Sequence, residues 1–101
     1  MVKEQEELCQ KSLSVLLANE FPAANYAIGR YQEDAICLQK NPDTKWEVYT
    51  GYRNQHKNSV KHANVVEACL DMLNRLCIGD ELTLYTLKDA FFDSIVANYN
   101  T

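Results

Sequence analysis

The chain has 101 residues, of which 47% are hydrophobic and 24% are charged, and its formal net charge is −4 at pH 7. This composition argues against a disordered chain, and the length suits one domain with a modest core. The acidic balance disfavours nucleic-acid binding over most of the surface, because phosphate contacts need clustered lysine and arginine. Only residues 51–64 are basic, with three cations and no acidic side chain. We therefore predict a single domain over residues 1–101.

The N-terminal segment predicts a helix over residues 3–19. Leu13, Leu16 and Leu17 recur at helical spacing on one side, and charged residues occupy the other side. Pro22 marks the end of the segment, because proline disfavours helical geometry in the residue before it. No hydrophobic stretch follows the charged start, and none in the sequence reaches the length of a membrane span. These features predict a cytoplasmic location.

Three strands are predicted next, at residues 25–31, 34–40 and 45–52. Each segment alternates larger apolar residues with a second set of side chains, as strands with two different faces do. The links between them are polar and turn-sized, which favours hairpins. The pattern predicts a three-stranded antiparallel meander. Residues 53–61 are polar and lack periodicity, so we expect a loop there.

Two further helices are predicted after this loop. The first covers residues 64–77, with Asn64 as its cap, Glu67 completing a capping-box-like pattern and Gly79 after its end. The second begins after Thr86, while residues 82–85 fit either a strand or an extended lead-in. The element order predicts an α+β fold: an N-terminal helix, a three-stranded antiparallel meander, then two helices packed on one sheet face.

The sequence offers little support for catalysis. Cys37 with His56 or His62 is a possible nucleophile and base, and Asp34 could orient the imidazole. Cys37, however, lies in an apolar strand segment with no basic neighbour to favour the thiolate. We therefore expect free, buried structural thiols at all four cysteines; these are Cys9, Cys37, Cys69 and Cys77. No zinc-binding spacing occurs, and we expect a non-enzymatic protein without cofactor or metal.

Duplex RNA binding is one alternative. A helix, three antiparallel strands and a helix also make up double-stranded-RNA-binding domains, and Arg53, Lys57 and Lys61 supply basic character. Those domains place lysines at the start of their last helix. Here the corresponding helix opens with Asn64 and soon reaches Glu67, which disfavours phosphate. An adaptor subunit of a larger assembly is a further alternative.

Three segments between residues 26 and 76 carry a resemblance: YAIGRYQEDAICLQK, KWEVYTGYRNQHKN and HANVVEACLDMLNRL. Together they resemble immunity proteins of bacterial polymorphic-toxin and contact-dependent growth inhibition systems, over about half of the chain. The matching residues are Tyr26, Gly29, Leu38, Trp46, Val48, Tyr49, Arg53, Glu67, Ala68 and Cys69. Asn54 stands where that type of immunity protein has a glycine after the arginine.

The resemblance implies a protein that binds its cognate toxin domain tightly and blocks the toxin's active site. Toxins of these systems are often nucleases that act on RNA, and a basic nuclease cleft suits acidic and tyrosine side chains. The toxin-binding residues expected on this hypothesis are Tyr31, Glu33, Asp34, Glu47, Tyr49 and Tyr52. The partner is then a protein, and we expect no direct contact with nucleic acid or membrane.

Overall fold

The computed structural model describes residues 3–99. A short 3-10 turn, Ala23–Asn25, follows the first helix. The helices are α1 (Lys3–Glu20), α2 (Val65–Leu76) and α3 (Glu81–Tyr99), and the strands are β1 (Tyr26–Ile28), β2 (Ile36–Lys40), β3 (Trp46–Tyr52) and β4 (Gln55–His62). The predicted α+β class is confirmed. Within residues 3–99, no helix combines the length and the apolar character needed to cross a membrane.

The sheet differs from the predicted three-stranded meander. It has four strands in the order β1-β2-β3-β4, with β1 parallel to β2 and the other neighbours antiparallel. The predicted loop at residues 53–61 was wrong, because most of that segment is β4. All residues of β4 before His62 are exposed, so this strand carries no apolar alternation that a sequence pattern could reveal.

The link between β1 and β2 is a crossover, where the sequence predicted a hairpin. Gly29, with φ +85°, turns the chain out of β1, and its N–H donates to the carbonyl oxygen of Leu38 at 2.7 Å. Residues 29–35 then cross the sheet and return beside β3. There the Asp34 N–H donates to the Gly51 carbonyl at 2.8 Å, and the Gly51 N–H donates to the Ala35 carbonyl at 2.9 Å. β2 therefore starts in the same direction as β1.

Helices α1 and α2 cover one face of the sheet. Leu13 and Leu17 of α1 and Met72 of α2 form one buried cluster with Trp46 and Val48 of β3. α3 packs mainly on α1 and α2 through Leu87 and Phe91, so it forms a third layer. The prediction that the two C-terminal helices cover the sheet was therefore wrong for α3, because α1 takes that place.

The last helix begins at Glu81, earlier than the predicted start after Thr86. Asp80 explains the difference, because its carboxylate accepts from the Thr83 N–H at 3.2 Å and from the Thr83 hydroxyl at 2.7 Å. These bonds lower the pKa of Asp80 and cap the first turn. The predicted cap of α2 is confirmed, since the Asn64 side chain accepts from the Glu67 N–H at 2.9 Å.

Two polar contacts connect the helices to the sheet. Glu6 of α1 accepts from the indole Nε1 of Trp46 at 3.3 Å and from the ammonium of Lys40 at 2.9 Å. The Lys40 bond is the main cause of a lowered pKa at Glu6. On the other side, Asp71 of α2 lies 2.8 Å from Nε2 of His62, at the end of β4. The two contacts lie in one cross-strand row, since Trp46 pairs with both Lys40 and His62.

The four cysteines are free and buried, as predicted. Burial raises the pKa of the thiols of Cys9, Cys69 and Cys77 above the usual value. These side chains therefore stay protonated near neutral pH and pack as small apolar groups.

Replacing Phe91 by Ala is expected to destabilise the fold by about 3–5 kcal/mol, because its fully buried ring leaves a cavity between the helices. Urea unfolding measures this loss. The adjacent Phe92→Ala is the matched control, since Phe92 is exposed and its loss should cost less than about 1 kcal/mol. Equal losses for the two variants would contradict the placement of α3.

Candidate functional site

The sheet face opposite α1 and α2 is called the open face here. Strand alternation decides which side chains lie on it: Trp46 and Val48 join the helix-side core, so Glu47 and Tyr49 point the other way. The residues of the open face include Cys37, Gln39, Glu47, Tyr49, Gly51, His56, Ser59 and Lys61. It is a largely polar surface built by three neighbouring strands.

A β-bulge in β4 brings two polar residues to this face. Val48 pairs with Val60 and Thr50 pairs with Lys57, so two residues of β4 lie opposite Tyr49 alone. Asn58, with φ +54°, occupies the bulge in the left-handed region that asparagine tolerates. The extra residue resets the alternation of the strand, which places both His56 and Ser59 on the open face.

Glu47 lies at the centre of this arrangement and is only 6% exposed. Asn41 Nδ2 donates to Oε1 at 3.0 Å, the Ser59 hydroxyl donates to Oε2 at 2.6 Å, and His56 Nδ1 lies 2.9 Å from Oε2. Burial by itself raises the pKa of this carboxyl, but the bonds from Ser59, Asn41 and His56 together lower it below the usual value. The carboxylate is therefore a buried, fully bonded charge.

Aromatic rings cover the sheet beside Glu47. The imidazole of His56 lies parallel to the Tyr49 ring, with centroids 3.7 Å apart, and the Tyr31 ring lies 6.2 Å from the Tyr49 ring. Tyr49 is fully buried, and its hydroxyl donates to Oε1 of Gln39 at 2.6 Å. Burial is the main cause of a raised pKa at Tyr49, so the phenol stays neutral.

The crossover is held on the open face by the β3–β4 turn. Tyr31 donates its hydroxyl hydrogen to Glu33 Oε2 at 2.9 Å, and the same hydroxyl accepts from the Asn54 N–H at 2.9 Å. Glu33 also accepts from the Arg53 N–H. The Tyr31 bond and then the Arg53 bond lower the pKa of the Glu33 carboxyl. A Cβ on Gly51 would collide with the Gln32 carbonyl, so the glycine permits this close approach.

The turn itself consists of Arg53 and Asn54, with φ +51° and +62°. Two left-handed residues between paired strands make a type I′ turn, which matches the twist of a hairpin. Asn54, at the position where the resembling proteins have glycine, adopts the conformation for which glycine is favoured, and asparagine tolerates it. Arg53 places its guanidinium 5.1 Å from the centroid of the Tyr52 ring.

The structure brings four of the six predicted site residues together. Tyr31 and Glu33 lie in the crossover, above Glu47 and Tyr49 of β3. The latter two are buried, so they support the surface and do not form it. Asp34 is exposed beside them at the start of β2, whereas Tyr52 falls on the helix side of the sheet by alternation, exposed at the strand end.

Sequence reasoning missed the roles of His56, Ser59 and Asn41. All three contact Glu47, but two of them were assigned to a loop. The arginine-asparagine pair before Gln55 is a signal for a tight hairpin turn and could have indicated the strand that follows.

The thiol and the imidazole of the suggested Cys37–His56 pair have separate partners. Sγ of Cys37 lies 3.5 Å from the carbonyl oxygens of both Gln32 and Ala35, and Nδ1 of His56 faces Glu47. Among residues 3–99, no group of three or more histidine, cysteine, aspartate or glutamate side chains is arranged to hold a metal ion. The exposed groups on and beside this face include the carboxylate of Glu33, the imidazole of His56 and the ammonium of Lys61.

Comparisons of the chain with models of known protein families, with curated proteins and with solved structures give no match.

Glu47→Gln is expected to destabilise the fold by about 1–3 kcal/mol at pH 7, because one buried donor then faces an amide NH2 group. The folded-state pKa of Glu47 lies below its unfolded value, so the carboxylate stabilises the fold above about pH 4.5 and loses this effect as the pH falls through the folded pKa. The difference in the free energy of unfolding between wild type and variant should therefore narrow as the pH falls from about 5 to about 3. Urea unfolding measures this difference. The exposed Glu7→Gln is the control, and a gap independent of pH would contradict the role of Glu47.

Tyr31→Phe is expected to loosen the β3–β4 turn, because it removes the hydroxyl that bonds both Glu33 and the Asn54 N–H. Amide hydrogen exchange of Arg53 and Asn54 should become about tenfold faster, equivalent to the loss of one hydrogen bond. Tyr52→Phe is the control, since the hydroxyl of Tyr52 has no hydrogen-bond partner within residues 3–99. Unchanged exchange in Tyr31→Phe would show that the crossover does not hold the turn.

Proposed function

We propose that this chain is a cytoplasmic immunity protein that neutralises its cognate toxin domain, an RNA-cleaving nuclease, by protein–protein binding. The observation that carries the proposal is the crossover rim, defined here as Tyr31, Glu33 and Asp34. Tyr31 and Glu33 of this rim are bonded to the Arg53–Asn54 turn, and the exposed Asp34 follows Glu33 in the sequence.

The rim is held in place before any partner arrives. The side chain of Tyr31 is packed on Tyr49 and His56, and Glu33 is held by two donors. A surface whose side chains are already ordered loses less conformational entropy on binding. Support of this kind suits a tight, non-catalytic inhibitor.

The chemistry of the rim fits a basic partner. Glu33 and Asp34 are exposed, and the chain as a whole has a net charge of −4. Complementary charge speeds the encounter with a basic cleft and selects against acidic competitors. Tyr31 adds apolar area with a polar tip, a combination that is common at interfaces.

The residues that carry the family resemblance have two kinds of position in the fold. Leu38, Trp46, Val48, Ala68 and Cys69 are buried in the core between the sheet and the helices. Arg53 instead belongs to the turn that holds the crossover. The resemblance therefore rests mainly on residues that build the scaffold and on one turn that positions the rim.

RNA binding through β4 is a second candidate. Arg53 lies at the turn before β4, and Lys57 and Lys61 are exposed on this strand. Lys57 lies on the helix side, and Lys61 lies on the open face near the other end of the strand, where it forms an ion pair with Asp43. The exposed Glu67 in the first turn of α2 places a carboxylate where duplex-RNA-binding domains carry lysine. A low-salt gel shift with duplex RNA tests this candidate, which requires a shift that Lys57→Glu with Lys61→Glu abolishes.

The test of the proposed function is co-expression with the C-terminal domain encoded immediately upstream of this gene. Wild-type protein should restore growth and form a complex with that domain. Glu33→Gln with Asp34→Asn should weaken the complex about tenfold or more, because two rim charges are lost. Asparagine tolerates the left-handed backbone at position 34, and the glutamine oxygen still accepts from one of the two donors, Tyr31 or Arg53, that bond Glu33.

The control is Glu4→Gln with Glu7→Gln, which removes two exposed charges from α1. This variant should protect cells as wild type does. Failure of the wild-type chain to protect would remove the proposed function, whereas equal weakening by both double variants would show that the crossover rim is not the binding surface.

A further inference from the structure

Helix α3 has four large apolar side chains that are exposed on the outer layer of the molecule. Leu82 is 80% exposed and Tyr85 is 62% exposed, and Phe92 and Val96 of the same helix are also exposed. Exposed apolar side chains grouped on one side of a helix are candidates for an interaction site.

These four residues lie on one side of α3 and are called the α3 stripe. At 3.6 residues per turn they fall within an arc of about 80° and extend along about 21 Å of the helix. The side of α3 that packs on the other helices carries Leu87 and Phe91. α3 thus has two apolar sides, of which its own fold covers only one.

Acidic residues lie within and beside the α3 stripe. At about 100° per residue, Asp89 falls inside the arc of the stripe, between Tyr85 and Phe92 along the helix, while Asp93 lies next to one side of it and Glu81 at the start of the other. All three are exposed, and none forms an ion pair among residues 3–99. Lys88, the one cation of α3, is half-buried beyond the stripe. This side of α3 therefore combines apolar side chains with carboxylates.

We propose that the α3 stripe is a second binding surface, whose occupant is an amphipathic helix of another protein with lysine or arginine beside its apolar face. The length and width of the α3 stripe match one face of an amphipathic helix, whose apolar residues recur at helical spacing. The inference goes beyond the toxin-binding proposal, because α1 and α2 separate α3 from the sheet. The two surfaces can therefore be occupied at the same time.

A second copy of this chain fits the α3 stripe less well than a basic helix. Pairing of α3 with α3 places Asp89 and Asp93 of both chains along one seam, where like charges repel. A basic partner turns the same two carboxylates into favourable contacts. Charge therefore selects the occupant, and the apolar side chains supply the buried area.

The probe is a fluorescently labelled peptide of about five helical turns, with leucines on one face and lysines on the other. Its fluorescence anisotropy is measured against the full chain at physiological salt, and a peptide with glutamate in place of lysine is measured in parallel. The lysine peptide should bind at least about tenfold more tightly than the glutamate peptide. Tyr85→Ser with Val96→Ser should weaken binding about tenfold or more.

Two controls make the result decisive. Val15→Ser removes an exposed apolar side chain of α1 outside the stripe and should leave binding unchanged, while Asp89→Asn with Asp93→Asn should weaken it several-fold. Circular dichroism verifies that each variant is folded. The inference is overturned if the lysine peptide does not bind, if the glutamate peptide binds equally well, if the double serine variant binds as wild type does, or if sedimentation shows a dimer that this variant dissociates.

Discussion

The arrangement of the open face depends on one buried carboxylate. Glu47 sits in the middle of the sheet, where an ionised group without partners would be strongly destabilising. Its three partners come from the β2–β3 turn and from two positions of β4. Both β4 partners reach it only because the bulge at Asn58 resets the alternation of that strand. The bulge of the edge strand therefore brings together the partners of Glu47 and the stacking of His56 on Tyr49.

The open face in turn positions the crossover. The crossover lies on the aromatic rings and bonds to the Arg53–Asn54 turn, so its exposed carboxylates are positioned by buried groups below them. Residues expected to contact a partner therefore have two different tasks. Glu47 and Tyr49 hold the surface, and Glu33 and Asp34 present charge on it. Interfaces are commonly divided in this way between supporting and contacting side chains.

The helical side of the molecule presents a different kind of surface. Because α1 and α2 already cover the sheet, α3 is added as a third layer and has no further element to bury its outer side. The open face is polar and has the carboxylates of the crossover rim beside it, whereas the exposed side of α3 combines apolar side chains with carboxylates. A chain with two such surfaces on separate layers is suited to joining two partners. Both the toxin-binding hypothesis and the adaptor hypothesis are compatible with this property.

The sequence by itself determined the parts of this protein that depend on local periodicity. The apolar spacing of Leu13, Leu16 and Leu17 predicted α1, the cap at Asn64 predicted the start of α2, and apolar surroundings predicted buried thiols. Alternation also located β1, β2 and β3, because each has at least one apolar face to bury.

Only the tertiary structure decided the rest. The strand β4 is exposed and bulged, so no apolar pattern identifies it, and its pairing is set by the turn and by Glu47. The parallel direction of β1 goes with a crossover that approaches β3 closely, and Gly51 opposite Gln32 permits this approach. Contacts between residues distant in sequence, such as Asn54 with Tyr31, leave no local signal. The same holds for the α3 stripe: apolar residues in a helix predict burial, and only the packing of three layers shows which of them remain exposed.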